Sequence, residues 1–337
     1  MKYGLSRFPS VFLDRVKKIV PPGLVPQIHQ GFLEFKPATF RINTLKAAQW
    51  QADASLVRHE LKKKEIICEE VKNFPNAFLV KKGSLKKLRE SKPYEEGWIY
   101  LQSLSSQIPP MALDPQPGER VLDLAAAPGG KTCQMAVMMQ NQGEIVAVDP
   151  HPIRYEKLVY NLKKQGVEMA QAVKISGEKI VGATLRGCPQ EGGHIGPPLH
   201  KGFDRILLDA PCSSEGTFCV KDPGGFNHWS LALVFEMAAK QKKLMRAAVT
   251  CLKPGGFLLY STCALSPEEN EAVIDWTLNE FPEMQTCPIP LKYPFLNPPL
   301  SQWQNTKFHR DVSRARRIYP TPIMEGFFVS LLHRPLK

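Results

Sequence analysis

The sequence predicts an α/β protein built on a doubly wound, mostly parallel sheet, and two observations support this fold class. From about residue 97 onward, short apolar segments typical of buried strands alternate with amphipathic helical segments, which is the pattern of βαβ units. Residues 1–96 show helical and strand patterns without that alternation. We therefore expect a main domain over residues 97–337 and a small α+β module over residues 1–96.

Each element is predicted from the local spacing of apolar residues. Runs of apolar residues indicate buried strands, and apolar residues recurring every three or four positions indicate helices. In the first module we expect strands over residues 40–45 and 77–80 and a helix over residues 55–64. In the main domain we expect strands over 121–124, 144–149, 203–209, 257–261 and 326–332, and helices over 129–139, 153–165 and 230–252.

Two further segments carry local signals of another kind. Ser266 and Glu269 fit a capping box with Pro267 at the first helical position, which predicts a helix that ends near residue 280. Residues 182–202 contain six Gly and three Pro. We expect them to form a surface loop because Gly and Pro break regular elements.

The positive charge is concentrated in the first module. The whole chain has a formal net charge of +12, and residues 1–96 hold 19 Lys and Arg against 10 Asp and Glu, a net of 19 − 10 = +9. Lysine and arginine that neutralise phosphates release counterions, so this asymmetry favours a polyanionic partner such as RNA. The alternative is an ordinary solvated, lysine-rich surface.

Several classes of protein are disfavoured by composition. No stretch approaches 18 uncharged apolar residues, and the N-terminus lacks the long apolar run of a signal peptide. None of the eight cysteines forms a C-x-x-C pair, which argues against a structural zinc site. We expect a cytoplasmic monomer with no membrane segment, no disulfides and no resident metal.

A loop of small residues lies between the first strand of the main domain and the following helix. Small residues let the backbone approach a ligand closely, and the start of a helix offers free N–H groups. Asp149 ends the next strand, where a carboxylate can accept hydrogen bonds from ribose hydroxyls. The pair predicts a nucleotide-like ligand. The loop consists of Ala125, Ala126, Ala127, Pro128, Gly129, Gly130 and Lys131.

The loop alone leaves two kinds of nucleotide open. The spacing G-x-G-x-x-G is absent, which disfavours a dinucleotide. Residues 125–132 nearly match the phosphate-binding loop of a nucleotidase, lacking only its first glycine, and Asp209 could imitate a magnesium-binding acid. Pro128 counts against this alternative, because proline removes a backbone donor from a loop that must cradle phosphates.

Two cysteines follow the ends of two predicted strands. Cys212 lies three residues after Asp209, and Cys263 follows the strand over residues 257–261. The carboxyl ends of parallel strands meet at one edge of a sheet, so both thiols can face one pocket. A thiolate is what methylation of cytosine carbon 5 requires, because that carbon becomes nucleophilic only after a thiolate has added to carbon 6. This chemistry does not say which cysteine attacks.

Together these motifs resemble the Nop/Sun family of RNA cytosine-5 methyltransferases. The resemblance extends over roughly residues 35–335. The motifs that carry it are residues 125–131, 209–213 and 261–263, with support from 40–46, 102–106, 317–320 and 326–329.

The resemblance implies a Rossmann-like class I methyltransferase domain behind an N-terminal RNA-binding module, with S-adenosylmethionine as cofactor. Cys263 would be the nucleophile, and Cys212 would assist breakdown of the covalent adduct and release of RNA. Asp209 would contact the target base and the cofactor.

The resemblance also assigns the cofactor site. Residues 125–131 would hold the methionine and ribose portions, Asp149 would hold the ribose, and Arg154 would lie beside the cofactor. The family usually has an Asp near the adenine, after the third strand. Here Ser176 or Glu178 would have to take that place.

Candidate RNA contacts are basic residues in both parts of the chain. Trp303, Phe308 and Tyr319 interleave with a basic run and could either stack on bases or belong to the core, whereas Trp229 is expected in the core. The candidate phosphate contacts are Arg41, Lys221, Arg310 and Arg317.

The identity of the RNA stays open. The chain ends soon after the last predicted strand, which we take to favour tRNA over ribosomal RNA. A catalytically idle RNA-binding protein of the same fold is an alternative from another class, and the presence of both Cys212 and Cys263 argues against it.

Overall fold

The computed structural model describes residues 2–49, 53–181 and 202–336. The helices are α1 (Lys2–Leu5), α2 (Ser10–Ile19), α3 (Val25–Leu33), α4 (Thr44–Gln49), α5 (Ala54–Lys63), α6 (Leu85–Arg89), α7 (Lys92–Glu95), α8 (Leu104–Leu113), α9 (Gly130–Met138), α10 (Pro152–Lys164), α11 (Leu231–Cys251) and α12 (Glu271–Glu280). The strands are β1 (Thr39–Ile42), β2 (Ile67–Glu70), β3 (Ala77–Lys82), β4 (Ile99–Leu101), β5 (Arg120–Asp123), β6 (Glu144–Val148), β7 (Ala170–Val173), β8 (Phe203–Asp209), β9 (Leu252–Thr262), β10 (Gln285–Cys287), β11 (Gln302–Trp303), β12 (Thr306–Lys307), β13 (Arg316–Ile318) and β14 (Phe327–His333).

The main sheet has the strand order β10-β14-β9-β8-β5-β6-β7, with β13 pairing to β14. Strands β7, β6, β5, β8 and β9 are parallel, and β14 is antiparallel to β9. The chain runs outward from β5 to β7 and then returns to β8 on the other side of β5. This reversal creates a crevice at the carboxyl ends of β5 and β8, where ligands bind in doubly wound sheets. The predicted fold class is confirmed.

Helices cover both faces of this sheet because its strands are apolar on both sides. Helix α11 packs on one face, and residues including Leu244 and Met245 contact the buried side chains of β8 and β9. Ser230 caps its start by accepting a hydrogen bond from the backbone N–H of Leu233 at 3.1 Å. Helices α8 and α9 contribute Ile108 and Met135 to the opposite face.

A second sheet lies in the N-terminal part of the chain, with the order β2-β3-β1-β4. Its core contains Phe40 and Phe78, whose rings stack at 5.3 Å. Strand β4 belongs to this sheet, so the sheet continues past the predicted boundary at residue 96. The division into residues 1–96 and 97–337 remains a prediction.

The first helices pack on the main domain rather than on the second sheet. Phe8, Phe12 and Phe32 share a buried cluster with Phe218 and Trp229. Ring centroids of Phe12 and Trp229 are 5.4 Å apart. This contact confirms a core position for Trp229 and ties the start of the chain to the segment that follows Cys212.

Two local predictions were wrong. The strand expected over residues 257–261 begins earlier, at Leu252, directly after α11 ends. The capping box at Ser266 does not form, since Ser266 gives no side-chain cap and a short 3-10 turn over Pro267–Glu269 precedes α12. The carboxylate of Glu269 instead accepts from the backbone N–H of Ser213, because this buried segment lies against the loop that follows β8.

The predicted loop over residues 182–202 lies outside the described residues except for its last position. None of the helices within residues 2–49, 53–181 and 202–336 combines the length and apolarity needed to cross a bilayer.

Candidate active site

The ends of β8 and β9 bring the two predicted cysteines together. Asp209 is paired in register with Ser261 across these parallel strands, and each strand leads into one cysteine. The Sγ atoms of Cys212 and Cys263 lie 3.2 Å apart. Both residues are half-buried free thiols. The spatial convergence predicted from the sequence is therefore present.

The two thiols have different surroundings. A hydrogen bond with Cys263, together with burial, raises the pKa of Cys212 well above its usual value, and the negative charges of Cys263 and Glu269 act in the same direction. The raised pKa favours a protonated Cys212, which in that state can donate to the Sγ of Cys263. The other member of the pair, Cys263, is the one that the motif resemblance assigns as the nucleophile.

Asp209 is held at the end of β8 by two groups. Its Oδ1 accepts a hydrogen bond from the Ser261 hydroxyl at 2.7 Å, and its Oδ2 lies 2.6 Å from Nζ of Lys131. Lys131 also donates to the Ser106 hydroxyl at 2.8 Å. These contacts orient Lys131 across the crevice. The loop over residues 125–131, called the cofactor loop below, therefore forms one site with the strand ends that lead into Cys212 and Cys263.

A cavity of about 490 Å³ extends from the cysteines along the crevice. Its wall joins the cofactor loop to the ends of β6, β7 and β8, and it includes the predicted residues Ser176 and Arg154. Helix α11 contributes Lys240 and Leu244. The other lining residues are Leu124, Ala125, Ala127, Asp149, Pro150, His151, Gly177, Asp209, Ala210, Pro211, Cys212, Ser214 and Cys263.

Asp149 and Arg154 both line this cavity and pair with each other. Asp149 is buried, and its Oδ2 lies 3.0 Å from a guanidinium nitrogen of Arg154. Its Oδ1 accepts from the backbone N–H of His151 at 3.0 Å. Arg154 also donates to the carbonyl of Ala127 at 2.8 Å. Arg154 therefore links the Asp149 carboxylate to the loop over residues 125–131.

A second cavity, of about 340 Å³, lies on the other side of the same loop. Ala125, Ala126, Ala127, Pro128, Gly130 and Lys131 all line it. Gly129 has another role: it has φ of 104°, and an added Cβ would lie 3.0 Å from the Leu158 side chain. This glycine permits the tight turn into α9.

Asp123 is a candidate site residue that the sequence analysis did not identify. It is the last residue of β5, is 1% exposed and lines the second cavity. Thr132 donates to its Oδ2 at 2.7 Å, whereas Oδ1 is buried without a partner. Burial raises the pKa of Asp123 to about 7. Its position at the end of the first parallel strand is the signal that could have identified it.

The unpartnered Oδ1 of Asp123 shows whether the residues of the site fit S-adenosylmethionine. A buried carboxylate oxygen without a donor is costly, and an ammonium group is a donor that would satisfy it. S-adenosylmethionine carries an ammonium on its methionine portion, and Asp149 is available for its ribose. The residues present therefore fit this cofactor across the two adjoining cavities.

Two of the predicted RNA contacts were wrong because their side chains are buried. Arg41 is 4% exposed and lies inside the second sheet beside Gln102, and Arg317 is 1% exposed and pairs with Glu271. Lys221 and Arg310 are solvent-accessible, with Lys221 paired to Glu34. These two remain predictions.

The aromatic residues near the basic run do not form an exposed stacking surface. Tyr319 is 3% exposed and belongs to the cluster formed with the N-terminal helices. Phe308 packs against the main core. The indole N–H of Trp303 donates to Glu268 at 2.9 Å, and Arg15 lies over its ring at 5.1 Å. Their packing is that of structural residues.

Comparisons with known proteins agree with this geometry. The family model described as 16S rRNA methyltransferase RsmB/F matches residues 110–333. The chain is 37% identical over 244 residues to the tRNA (cytosine(49)-C(5))-methyltransferase of Pyrococcus abyssi, covering 72% of each protein. It is 32% identical over 300 residues to the human 28S rRNA (cytosine(4447)-C(5))-methyltransferase, covering 88% of this chain and 34% of the human protein.

The fold agrees with a solved structure over nearly its full length. A methyltransferase homolog protein from Pyrococcus horikoshii aligns with a TM-score of 0.79 and 32% identity, covering 99% of this chain and 98% of the other. The resemblance drawn from the motifs is thereby confirmed, together with the enzyme class and S-adenosylmethionine as the methyl donor of the family. The chain belongs to the RsmB/F (Nop/Sun) family of RNA cytosine-C5 methyltransferases.

Proposed function

We propose that this protein transfers a methyl group from S-adenosylmethionine to carbon 5 of a cytosine in structured RNA through a covalent adduct with Cys263. The observation that carries this proposal is the 3.2 Å approach of the Cys212 and Cys263 sulfurs beside the cofactor loop. Two thiols at one strand edge have no role in a P-loop nucleotidase.

The cofactor would be held by residues that already line the crevice. Asp149 would accept from the ribose hydroxyls, residues 125–131 would enclose the methionine and ribose portions, and Asp123 would pair with the ammonium. Ser176 would lie near the adenine, with Arg154 at the edge of the site. When bound, S-adenosylmethionine supplies an electrophilic methyl group on its sulfonium.

Cys263 would attack carbon 6 of the cytosine. The electron pair of its thiolate forms the carbon–sulfur bond, and the ring electrons become available at carbon 5, which then takes the methyl group. Loss of the carbon 5 proton to solvent water leaves its electron pair to re-form the 5,6 double bond, which expels Cys263 as a thiolate and restores the aromatic ring. A target base must leave any stack to reach these half-buried sulfurs.

Asp209 and Cys212 would act on the base and on the adduct. Asp209, fixed by Lys131 and Ser261, presents its carboxylate beside the cysteines and can accept from the amino group of the cytosine. Cys212 would donate its proton toward the departing sulfur of Cys263, which favours breakdown of the adduct. This role needs a protonated Cys212, in agreement with the raised pKa of that thiol.

We favour tRNA as the substrate class, with ribosomal RNA as the alternative. The tRNA methyltransferase of Pyrococcus abyssi is matched over 72% of its length. We further propose an N-terminal RNA-binding module, with Lys221 and Arg310 as phosphate contacts, and a cytoplasmic monomer that needs no metal.

The test is methyl transfer from labelled S-adenosylmethionine to purified tRNA and ribosomal RNA, with the product identified as 5-methylcytidine by mass spectrometry. We expect label in tRNA, and bisulfite sequencing would locate the cytosine. Label only in ribosomal RNA would overturn the substrate class. Label in neither RNA would favour an idle RNA-binding protein, and tight ATP binding without S-adenosylhomocysteine binding would favour a nucleotidase.

A further inference from the structure

Glu269 is a buried carboxylate that contacts residues 211–213, which follow β8 and are called the Cys212 loop below. It is 0% exposed, lies in the 3-10 turn that follows Cys263, and is separated from α12 by Asn270. Its Oε2 accepts from the backbone N–H of Ser213 at 2.9 Å, and its Oε1 accepts from the Ser213 hydroxyl. Glu269 thus holds the residue next to Cys212 by both its backbone and its side chain.

Gln241 of α11 holds the residue on the other side of Cys212. Its Nε2 donates to the carbonyl of Pro211 at 2.9 Å and to Oε2 of Glu269 at 2.9 Å. The residues before and after Cys212 are therefore both fixed, the first by Gln241 and the second by Glu269. Cys212 is left with little freedom to move away from Cys263.

The electrostatic setting of Glu269 is unusual for a buried acid. The donors that hold it are a backbone amide, a hydroxyl and a side-chain amide, all of them neutral. Burial and the nearby carboxylate of Glu215 raise the pKa of Glu269 to about 8. With this pKa Glu269 is largely protonated at neutral pH, and above about pH 8 its ionised form places a negative charge beside Cys212 with weak compensation.

Cys212 faces several other titratable groups, and most of them are acidic. Cys263 and Tyr260 come from β9 and its end, and Asp209 comes from the end of β8. Lys240 of α11, His151, Arg154 and Asp149 line the same cavity. Glu269 is distinguished among the acids because it contacts the Cys212 loop directly.

We propose that Glu269 is a positioning residue that, together with Gln241, fixes Cys212 against Cys263 and, when ionised, disfavours a thiolate on Cys212. This inference rests on the proposed function, since it explains how Cys212 is held beside the sulfur that attacks. It assigns a purpose to a buried acid that the capping-box pattern had placed in a helix start.

The test is the pH profile of Cys212 alkylation, which needs neither RNA nor cofactor. In a Cys263→Ala background, iodoacetamide labelling is followed from pH 7 to pH 11, and the Cys212 peptide is quantified by mass spectrometry. Removing a negative charge near a thiolate lowers the pKa of the thiol. Glu269→Gln should therefore move the pH midpoint of Cys212 alkylation down by about one pH unit. Cys68, in the second sheet, is an internal control whose profile should not move.

Two further variants separate charge from position. Gln241→Leu removes the hydrogen bonds from Gln241 to Pro211 and Glu269 without changing the charge. The pH midpoint of Cys212 alkylation should therefore stay the same. The kcat for methylation should fall, and the KM for RNA should stay the same. Glu269→Asp keeps the charge and should retain most of the wild-type profile. A folded Glu269→Gln protein with an unmoved Cys212 midpoint would overturn the proposal.

The proposal remains testable if Glu269→Gln does not fold. It then requires the Cys212 midpoint in the Cys263→Ala protein to lie above the ordinary thiol value of 9.0, and a midpoint below that value would overturn it. Failure of the wild-type protein to methylate RNA would instead contradict the proposed function, whatever the thiol profile shows.

Discussion

Glu269 and Glu271 are two buried acids separated by one residue, and the structure uses them differently. Glu271 is paired with Arg317, whose Nε donates to its Oε1 at 2.6 Å, and it also accepts from the backbone N–H of Leu300 at 2.9 Å. Glu269 is held only by neutral donors from the Cys212 loop and Gln241. A cation compensates the first charge, and none of these donors compensates the second.

This difference distinguishes buried charges that stabilise the fold from buried charges that belong to the candidate active site. Glu271 and Arg317 join the start of α12 to β13 and the C-terminal segment, so their pairing stabilises the domain. Glu269, like Asp123 on the other side of the crevice, is a costly buried acid whose surroundings are explained by neighbouring functional groups. Substitutions in the site should therefore change methyl transfer or cofactor binding, and substitutions in the ion pair should change the free energy of unfolding.

The largest expected effect is that of Cys263→Ala. Without the attacking sulfur, methyl transfer to RNA should be abolished and no covalent complex should form. The free energy of unfolding should change little, because the side chain is small and half-buried. Labelled methyl transfer and urea denaturation measure the two quantities, and residual turnover near the wild-type rate would contradict the assignment.

Cys212→Ala should arrest the reaction after the adduct has formed. Removing the proton donor slows release of Cys263, so a protein–RNA complex should accumulate on a denaturing gel. The double variant Cys212→Ala/Cys263→Ala is the control and should show no complex. Normal turnover by Cys212→Ala without an adduct would show that its assigned role is wrong.

Arg317→Leu should act on stability rather than on RNA contact. It leaves the buried Glu271 carboxylate uncompensated, which costs about 3–5 kcal/mol of unfolding free energy. Arg310→Leu is the matched control, since the Arg310 side chain is 91% exposed, and its effect should stay within roughly 0.5 kcal/mol. An unchanged urea midpoint for Arg317→Leu, with weaker RNA binding, would restore Arg317 as an RNA contact.

Asp123→Asn should weaken cofactor binding while stabilising the free protein. The loss of the ammonium partner should reduce S-adenosylhomocysteine affinity by roughly tenfold, about 1.4 kcal/mol. Isothermal calorimetry measures this change. Asp149→Asn is the companion variant, and it should weaken binding through the ribose. Unchanged affinity for Asp123→Asn would remove Asp123 from the cofactor site.

The same residue predicts a pH dependence of the free protein. The folded pKa of Asp123, about 7, lies above the ordinary value of 3.8, so the folded state holds this proton more tightly than the unfolded chain does. The contribution of Asp123 to stability therefore falls as pH rises from about 4 to about 7 and stays low above that range. Urea denaturation across this range should show a shallower fall for Asp123→Asn.

Much of the main sheet could be predicted from the sequence because its strands are short, apolar and bounded by clear breakers. Strand β8 begins and ends where the pattern indicates, and the convergence of Cys212 and Cys263 follows from parallel strands ending at one edge. The positions of α10 and α11 were predicted to within a residue at each end.

The errors share one physical cause, which is burial that depends on distant contacts. Arg317 is polar and lies in a basic run, yet Glu271, 46 residues away, draws it into the interior. Glu269 fits a local capping pattern, but Ser213, 56 residues away, supplies better donors. Asp123 was missed because the sequence does not reveal that one of its oxygens is left without a partner.

The most direct test of the account is to locate the cysteine that carries RNA. Cys212→Ala protein is incubated with tRNA and S-adenosylmethionine, digested with protease and nuclease, and analysed by mass spectrometry for a cysteine bearing a methylated cytidine. We predict that the modified residue is Cys263. A nucleotide attached to any other residue, or no attachment with a wild-type protein that leaves RNA unmethylated, would contradict the account.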